Sequence, residues 1–290
     1  MRFSRWQSER ICTTIGAMKL QSSIRSCLAP ALLFIVFAVV PQSAWAQDAA
    51  LKNAVDSPAR AAGDRARDQY RHPIETLTFF GIKPDMTVVE IWPGGGWYTD
   101  ILAPYLKDNG KLYAAISKGE NAAEYKKKLA DDPARFGKVI VTQLDPPDAM
   151  KIAPPDSADM VVTFRNVHNW MRGGNGEAVF KAMYAALKPG GVLGVEEHRG
   201  DPSKPQDPKA ASGYVREDYV ITMAEKAGFI LAGKSDINAN PRDTKDYAKG
   251  VWTLPPTLRL GDTDKAKYLA IGESDRMTLK FLKPKQSAGR

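Results

Sequence analysis

The sequence predicts an α/β domain with a doubly wound, mostly parallel sheet, preceded by a helical N-terminal extension. From Gly81 onward, short apolar runs alternate with helix-like segments, a pattern typical of βαβ units with right-handed crossovers. Most of these runs are continuous rather than alternating, which suits strands covered on both faces. The first run ends in the glycine-rich turn Gly94–Gly96, whose glycines allow positive φ and a close approach of backbone to a ligand.

Length and charge limit the classes of protein that this chain can belong to. Its 290 residues permit one large domain or two small ones. The formal net charge is +8, of which residues 1–46 contribute +4 through five basic residues and one acidic residue, so the remainder carries +4. That mildly basic body lacks the dense stripe of a nucleic-acid-binding protein, and we expect no nucleic-acid partner. The only basic triplet, Lys126–Lys128, is interpreted as a solvated helix face.

A secretory signal peptide is predicted over residues 1–46, with translation starting at Met18. The apolar run Leu28–Val40 follows two basic residues, and Ala44–Ala46 fits a small-residue cleavage site. The run is short for a membrane span, and an uncleaved membrane anchor is the alternative interpretation. Cleavage would leave a mature chain that starts at Gln47 and has no stable membrane anchor.

Cysteine usage agrees with an exported protein that needs no disulfide. Cys12 and Cys27 both precede the predicted cleavage site, so the mature chain has no thiol for a disulfide or a metal site. The predicted compartment is a bacterial periplasm.

Residues 47–80 are predicted to form the helical extension, residues 81–283 the α/β domain and residues 284–290 a tail. The segment Ser235–Gly261 has little helix or strand character, and a loop of that length is typical of a functional element. The predicted strands are Met86–Ile91, Lys111–Ser117, Lys138–Leu144, Asp159–Phe164, Val192–Glu196, Phe229–Lys234 and Met277–Leu282. The predicted helices of the extension and domain include Ile74–Phe80, Trp97–Leu106, Asn121–Leu129, Glu177–Leu187 and Tyr214–Ala227.

Three motifs in this order carry a resemblance to a known family. They are the strand and turn Val88–Gly96, the strand Asp159–Val162 and the segment Leu187–Gly191 before the fifth strand. Between about Arg71 and Lys283 the chain resembles class I methyltransferases that use S-adenosylmethionine, and more narrowly the predicted exported methyltransferases of bacteria. The resemblance implies a seven-stranded, Rossmann-like sheet with an antiparallel last strand, S-adenosylmethionine as cofactor and a small-molecule acceptor as substrate.

The resemblance also implies which residues of the first turn hold the cofactor. Glu90 matches the acidic residue that orients the methionine end of the cofactor, and a carboxylate suits an ammonium group. Trp92 stands where the family has its first glycine, so we expect a reshaped turn or a reshaped pocket. The cofactor-binding residues expected in the turn itself are Pro93, Gly94, Gly95 and Gly96.

A second departure from the family lies after the second and third strands. The family places an acid at the end of the second strand for the ribose hydroxyls, whereas this chain has Ser117 there. Ser117 is expected to give one weaker hydrogen bond. Asp148 matches the family's adenine-edge carboxylate, and Asp145 is a competitor for that role.

The run Phe164–Trp170 follows the fourth strand, where ligands of open α/β sheets bind. Asn166 is predicted to contact the cofactor, while His168 or Glu197 would take a proton from the acceptor. The alternative is that His168 only packs the following helix. With Glu196 and His198 these residues offer enough ligands for a metal, but we favour a salt-bridged rim and predict no metal site.

Two late features have a structural and a functional interpretation each. Asp275 and Arg276 are expected to pair with one another, and the alternative is that Arg276 holds an anionic group of the substrate. Trp252 could cover the site as a lid or could pack over an apolar edge.

Two functions compete for the chain as a whole. The first is S-adenosylmethionine-dependent methyl transfer to a small molecule. Because that cofactor is made in the cytoplasm, an exported enzyme would need a supply. The second is a non-catalytic periplasmic protein that binds another small ligand on the same scaffold, because fold does not fix function.

Overall fold

The computed structural model describes residues 42–285. Within that range seven strands form one sheet, with strand order β3-β2-β1-β4-β5-β7-β6. All neighbouring pairs are parallel except those of the last strand, which runs antiparallel to both of its neighbours. The strands are β1 (Thr87–Ile91), β2 (Lys111–Ile116), β3 (Ile140–Gln143), β4 (Ala158–Phe164), β5 (Leu187–His198), β6 (Ile230–Ser235) and β7 (Arg276–Leu282).

Eleven α-helices lie in the described range, together with a 3-10 helix at Gly250–Thr253. None of them is both long and apolar enough to cross a membrane. The helices are α1 (Gln42–Asp56), α2 (Ala62–Arg65), α3 (Asp68–Arg71), α4 (Pro73–Phe80), α5 (Thr99–Leu106), α6 (Glu120–Asp131), α7 (Pro133–Phe136), α8 (Val167–Arg172), α9 (Gly176–Ala186), α10 (Glu217–Lys226) and α11 (Lys265–Ile271).

The sheet is covered on both faces, as the continuous apolar runs predict. Val88 of β1 packs with residues of α1, α4 and α5 on one face, while Val89 packs with residues of α8, α9 and α10 on the other. Both valines are completely buried. Successive side chains of a strand point to opposite faces, so an uninterrupted apolar run fits a central strand with helices on both sides.

The helical extension is part of the domain's core. Phe80 of α4 lies against Gly194 of β5, where an added Cβ would come within 2.6 Å of the ring. A larger residue at position 194 would therefore push the extension away from the sheet. Leu51 and Val55 of α1 are buried in the same cluster.

The predicted doubly wound sheet with an antiparallel seventh strand is confirmed. Short helices without a clear apolar period, such as α8 and α11, are not evident in the sequence. The segment Leu187–Gly191, expected to precede the fifth strand, is the irregular start of β5, whose pairing with β4 shifts register there. Residues 1–41 of the predicted signal peptide lie outside the described residues. Residues 286–290 of the predicted tail also lie outside them.

Candidate functional site

A cleft of about 330 Å³ opens at the carboxyl edge of the sheet. It lies between the glycine-rich turn after β1, the end of β2, helix α6 and the start of α8. No residue in its lining carries a formal charge. The lining residues are Trp92, Pro93, Gly94, Ile116, Ser117, Asn121, Ala122, Tyr125, Asn166 and Asn169.

The turn that borders this cleft has left-handed backbone at three positions. Trp92, Gly94 and Gly96 have φ of 46°, 58° and 81°. Trp92 thus adopts the backbone conformation that favours glycine, at a steric cost that a side chain incurs in this region. An added Cβ at Gly94 would meet no atom within 4 Å, so the backbone here is open toward a ligand.

The side chain of Trp92 is held at two points beside the cleft. Its Nε1 donates a hydrogen bond of 2.8 Å to the carbonyl of Leu144, just beyond β3. The indole also packs edge-on against Trp170 of α8, with ring centroids 5.9 Å apart. The ring therefore reaches along the sheet edge from β1 toward β3 and forms one wall of the cleft.

Glu90 lies beneath the turn and outside the lining of the cleft. Its Oε2 accepts a hydrogen bond of 2.6 Å from Thr99, whose hydroxyl lies 3.0 Å from that of Tyr125 in the cleft wall. Burial raises the pKa of Glu90 to about 7, although Thr99 and the charge of Lys128 oppose the shift. The carboxyl group is thus connected to the cleft through Thr99 and Tyr125, and it titrates near neutral pH.

Lys128 supports the turn from outside. Its Nζ donates to the carbonyl oxygens of Gly95 and Gly96, at 2.9 and 3.3 Å, and pairs with Asp100 at 2.7 Å. The interpretation of the basic triplet as a solvated face is wrong for this residue. Helical spacing gives the signal, because Lys128 follows the buried Tyr125 by three positions and so shares its face of α6.

The residues predicted to hold the rest of the cofactor are only partly brought together. Ser117 lines the cleft. Asp148 is exposed in the short loop after β3 and lines no described part of the cleft. Asp145, the other candidate for the adenine-edge carboxylate, pairs at 3.1 Å with Lys118, the residue that follows Ser117.

Asn166 fixes the end of β4 to the end of β1. Its Nδ2 donates to the carbonyl oxygens of Ile91 and Trp92, at 3.0 and 3.3 Å. The residue lines the cleft with Asn169. Because both asparagines lie at the start of α8, this helix presents amide groups to the cleft.

His168 lies on the same helix but contacts β5. Its Nδ1 is 3.0 Å from Oε1 of Glu197, which is completely buried. The carboxylate also accepts the backbone N–H groups of His168 and His198. An ionised carboxylate accepts only, so Nδ1 carries the proton and Nε2 is left as the basic nitrogen. Glu197 therefore orients His168, and its own oxygens are occupied.

His198 and Trp252 complete the surroundings of His168. The Nδ1 of His198 lies 2.5 Å from Oγ of Ser274. Burial lowers the pKa of His198 well below its usual value, and the nearby His168 adds to this shift. Trp252 packs edge-on against His168, with centroids 5.9 Å apart. The long loop thus covers this part of the rim.

A metal ion would have one candidate position in the described part of the chain. Ligand atoms of His168, Glu197 and His198 lie within 4.8 Å of one another. In the structure these groups hydrogen-bond one another and Ser274 instead. The expectation that the chain has no metal site stays a prediction.

Behind this rim lies a buried group of charged residues that we call the arginine cluster. Arg276 pairs with Glu196 and Glu273, each at 3.1 Å. The predicted pairing of Asp275 with Arg276 is wrong, because these neighbours point in different directions and Asp275 pairs with Lys245 at 2.9 Å. The arginine cluster consists of Arg67, Arg71, Arg165, Arg276, Glu196 and Glu273.

The cluster joins the extension to the sheet and holds both carboxylates ionised. Arg67 and Arg71 pair with Glu273 at 2.7 and 3.0 Å. Burial alone would raise the pKa of Glu273, but Arg276, Arg71 and Arg67 lower it to about 2. In the same way Arg276 and Arg165 outweigh burial and lower the pKa of Glu196. These contacts are not visible in the sequence, because Arg67 and Glu273 are 206 positions apart.

Comparison with known proteins identifies the fold. No protein-family model matches the sequence, and no curated protein matches it. Among solved structures, an S-adenosylmethionine-dependent methyltransferase from Aquifex aeolicus has 17% identity and a TM-score of 0.52, over 81% of this chain and 98% of that chain. A phosphoethanolamine N-methyltransferase 2 from Haemonchus contortus, in complex with S-adenosyl-L-methionine, has 15% identity and a TM-score of 0.52, over 81% and 60%.

A third similar structure belongs to a protein with a different reaction. The [4+2]-cyclase SpnF has 16% identity and a TM-score of 0.54, over 81% of this chain and 92% of that chain. At 15–17% sequence identity, the similarity to these three structures shows the fold alone. The chain therefore has the Rossmann-like fold of S-adenosylmethionine-dependent methyltransferases, and its reaction must be argued from its site.

Proposed function

We propose that this protein transfers a methyl group from S-adenosylmethionine to a small-molecule acceptor and that it does so as an exported bacterial protein. The observation that carries the proposal is the turn between β1 and α5, which has left-handed backbone at Trp92, Gly94 and Gly96 and borders the cleft. The order of motifs and the shared fold add to it.

The residues present fit such a cofactor. The open backbone at Gly94 is a cradle that a side chain would fill, since nothing lies within 4 Å of an added Cβ. Ser117 offers a hydroxyl at the end of β2, and Asn166 and Asn169 offer amides on the opposite wall. Glu90, fully buried behind Tyr125, supplies a negative charge above pH 7 that favours a ligand with an ammonium group.

When bound, S-adenosylmethionine would supply an electrophilic methyl group on a sulfonium. The contribution of the chain is to hold the acceptor in line with that methyl group and to exclude water. His168 would receive a proton at Nε2 where the acceptor must lose one, because Glu197 holds Nδ1–H. Glu197 is therefore proposed as a positioning residue.

Export is a separate part of the proposal. It is supported by the signal-like residues 18–46 and by the lack of cysteine after position 27. A fusion of residues 1–50 to a reporter that is active only outside the cytoplasm should give signal, while deletion of residues 28–40 should remove it. Reporter activity that stays in the cytoplasm would contradict export.

Calorimetric titration of the purified protein tests cofactor binding. We expect one site for S-adenosylmethionine and competition by its demethylated product. Gly94→Val should abolish binding, because the new side chain enters the cleft. Gly174→Val is the matched control, since Gly174 also has a positive φ and no atom within 4 Å of an added Cβ but does not line the cleft. Absence of heat and of a thermal shift at millimolar ligand would rule out the methyltransferase.

The second candidate is a non-catalytic protein that binds another small ligand in the same cleft. It is favoured by the wall formed by Trp92 and by the lack of any carboxylate in the lining near Ser117. An aromatic, uncharged cleft suits a neutral ligand. Native mass spectrometry of protein purified from its host would separate the two, because a retained ligand other than S-adenosylmethionine or its product favours the binding protein.

A further inference from the structure

The charges of the arginine cluster do not balance. Its four guanidinium groups face two carboxylates, and no other carboxylate in residues 42–285 comes within 4.0 Å of any of the four. Both carboxylates are ionised at neutral pH, since the surrounding arginines lower their pKa values. Every arginine shares a carboxylate, but the cluster carries a net charge of +2 in a largely buried site, which is costly in free energy.

Unused donors remain on all four arginines, and Nη2 of Arg67 and Nε of Arg276 are buried without a partner. Arg276 donates from Nη1 to Glu196 and Glu273 and from Nη2 to the carbonyl of Tyr70. In contrast, Arg71 donates only through Nε and Arg165 only through Nη1 to any described residue. Terminal N–H groups of these two side chains remain available.

Both arginines lie near the two histidines. Burial lowers the pKa of His198, the charges of His168, Arg165, Arg276 and Arg71 add to the shift, and the ring centroids of His198 and His168 are 5.4 Å apart. Arg165 immediately precedes Asn166 of the cleft wall and has a left-handed φ of 61°, a strained conformation of the kind that recurs at functional sites. The guanidinium of Arg71 lies over the ring of Trp97, 4.8 Å from its centroid, and Trp97 follows the last glycine of the turn. An anion held by the two arginines would thus lie near His168, the proposed proton acceptor.

We propose that Arg71 and Arg165 form a binding site for an oxyanion, a carboxylate or a phosphate, carried by the methyl acceptor. Guanidinium groups match both anions with paired hydrogen bonds. The anion would offset the uncompensated charge of the cluster. Burial, followed by the charge of Arg165, lowers the pKa of Arg71 to about 9, which agrees with a cluster that lacks a counter-ion. The assignment of the anion to the acceptor rests on the proposed function, whereas the anion site itself does not.

Titration calorimetry of the full chain with inorganic phosphate and with acetate, at constant ionic strength, tests the site. We expect binding of at least one anion, and the stronger of the two indicates the acidic group of the acceptor. Arg165→Gln should weaken it about tenfold or more. Arg242→Gln is the control with the same loss of charge, because Arg242 is exposed and its side chain bonds no described residue. Its affinity should equal that of the wild type.

Two further variants keep the outcome unambiguous. Gly94→Val should remove S-adenosylmethionine binding but leave anion binding intact, so failure of the cofactor proposal and failure of the anion site are distinguishable. Arg165→Lys keeps the charge but lacks the planar, forked guanidinium group, so it should bind the anion more weakly than the wild type. This variant tests the site even if Arg165→Gln does not fold. Lack of binding of both anions to the wild type, or equal affinities of wild type and Arg165→Lys, would overturn the proposal.

Discussion

The two halves of the sheet's carboxyl edge are built in opposite ways. Around β1 and β2 the edge opens into a cleft of about 330 Å³ with no formal charge in its lining. Around β4, β5 and β7 it is closed by the arginine cluster and by the pair of His168 and Glu197. The first half presents backbone and small polar groups to a ligand, and the second half is held together by its own charges.

This difference separates the residues proposed to bind the cofactor from those that stabilise the fold. In the cleft half, Ser117 borders open space, so changes there should alter ligand affinity more than folding. In the charged half, Glu196 and Arg276 are almost completely inaccessible, and removal of one partner leaves a buried charge.

The largest effect is expected at Glu196. Glu196→Gln leaves Arg165 and Arg276 without their shared carboxylate, and loss of one partner of a buried ion pair costs about 3–5 kcal/mol in the free energy of unfolding. Urea denaturation measures it. The control is Glu177→Gln, which breaks an exposed pair with Lys226 and should leave the midpoint unchanged. Equal midpoints for the two variants would contradict the division.

Acid should weaken the charged half through Glu273. Its pKa is about 2 in the folded protein, below its usual value of 4.5, so its contribution is complete above pH 4.5 and is lost as the pH falls toward 2. The stability difference between wild type and Glu273→Gln should shrink by about 3 kcal/mol over that range. Denaturant titrations at several pH values measure this, and a difference that does not change with pH would contradict it.

The opposite dependence is expected beneath the cleft. The pKa of Glu90 is raised to about 7 by burial, so the stability linked to it is complete below pH 4.5 and is lost as the pH rises through 7. Relative to the wild type, Glu90→Gln should therefore gain up to about 3 kcal/mol between pH 4.5 and 8. Denaturant titrations at the same pH values measure this difference. If Glu90→Gln instead gained stability relative to the wild type as the pH fell, burial would not destabilise the charged form of Glu90.

The smallest effect is expected at the cleft wall. Trp92→Phe keeps an aromatic ring but removes the hydrogen bond to Leu144, which costs about 1 kcal/mol in the free energy of unfolding. Ligand affinity should change more than stability, because this ring forms one wall of the cleft. A loss of unfolding free energy as large as that of Glu196→Gln would show that Trp92 mainly stabilises the fold.

Much of the fold can be predicted from the sequence because buried parallel strands leave a local signal. The apolar run at β1 and the antiparallel β7 were placed within two residues of their observed bounds. The turn was also recognisable, since three consecutive glycines have few other uses. Short helices such as α8 carry too few turns for a clear period.

The site is less predictable because its contacts join distant residues. Arg71 and Glu273 are 202 positions apart, and nothing local indicates that they pair. The pairing expected for Asp275 and Arg276 relied on adjacency, which does not determine where side chains point along a strand. The position of the Trp92 indole also required the structure, since nothing local in the sequence indicates its hydrogen bond to the carbonyl of Leu144.

A crystal structure of the protein grown with S-adenosylmethionine tests the central claim most directly. We expect density for the ligand in the cleft between Gly94 and Ser117, with the left-handed backbone of the turn unchanged. A cleft without ligand at saturating concentration, in crystals that leave it open to solvent, would contradict the proposed cofactor site.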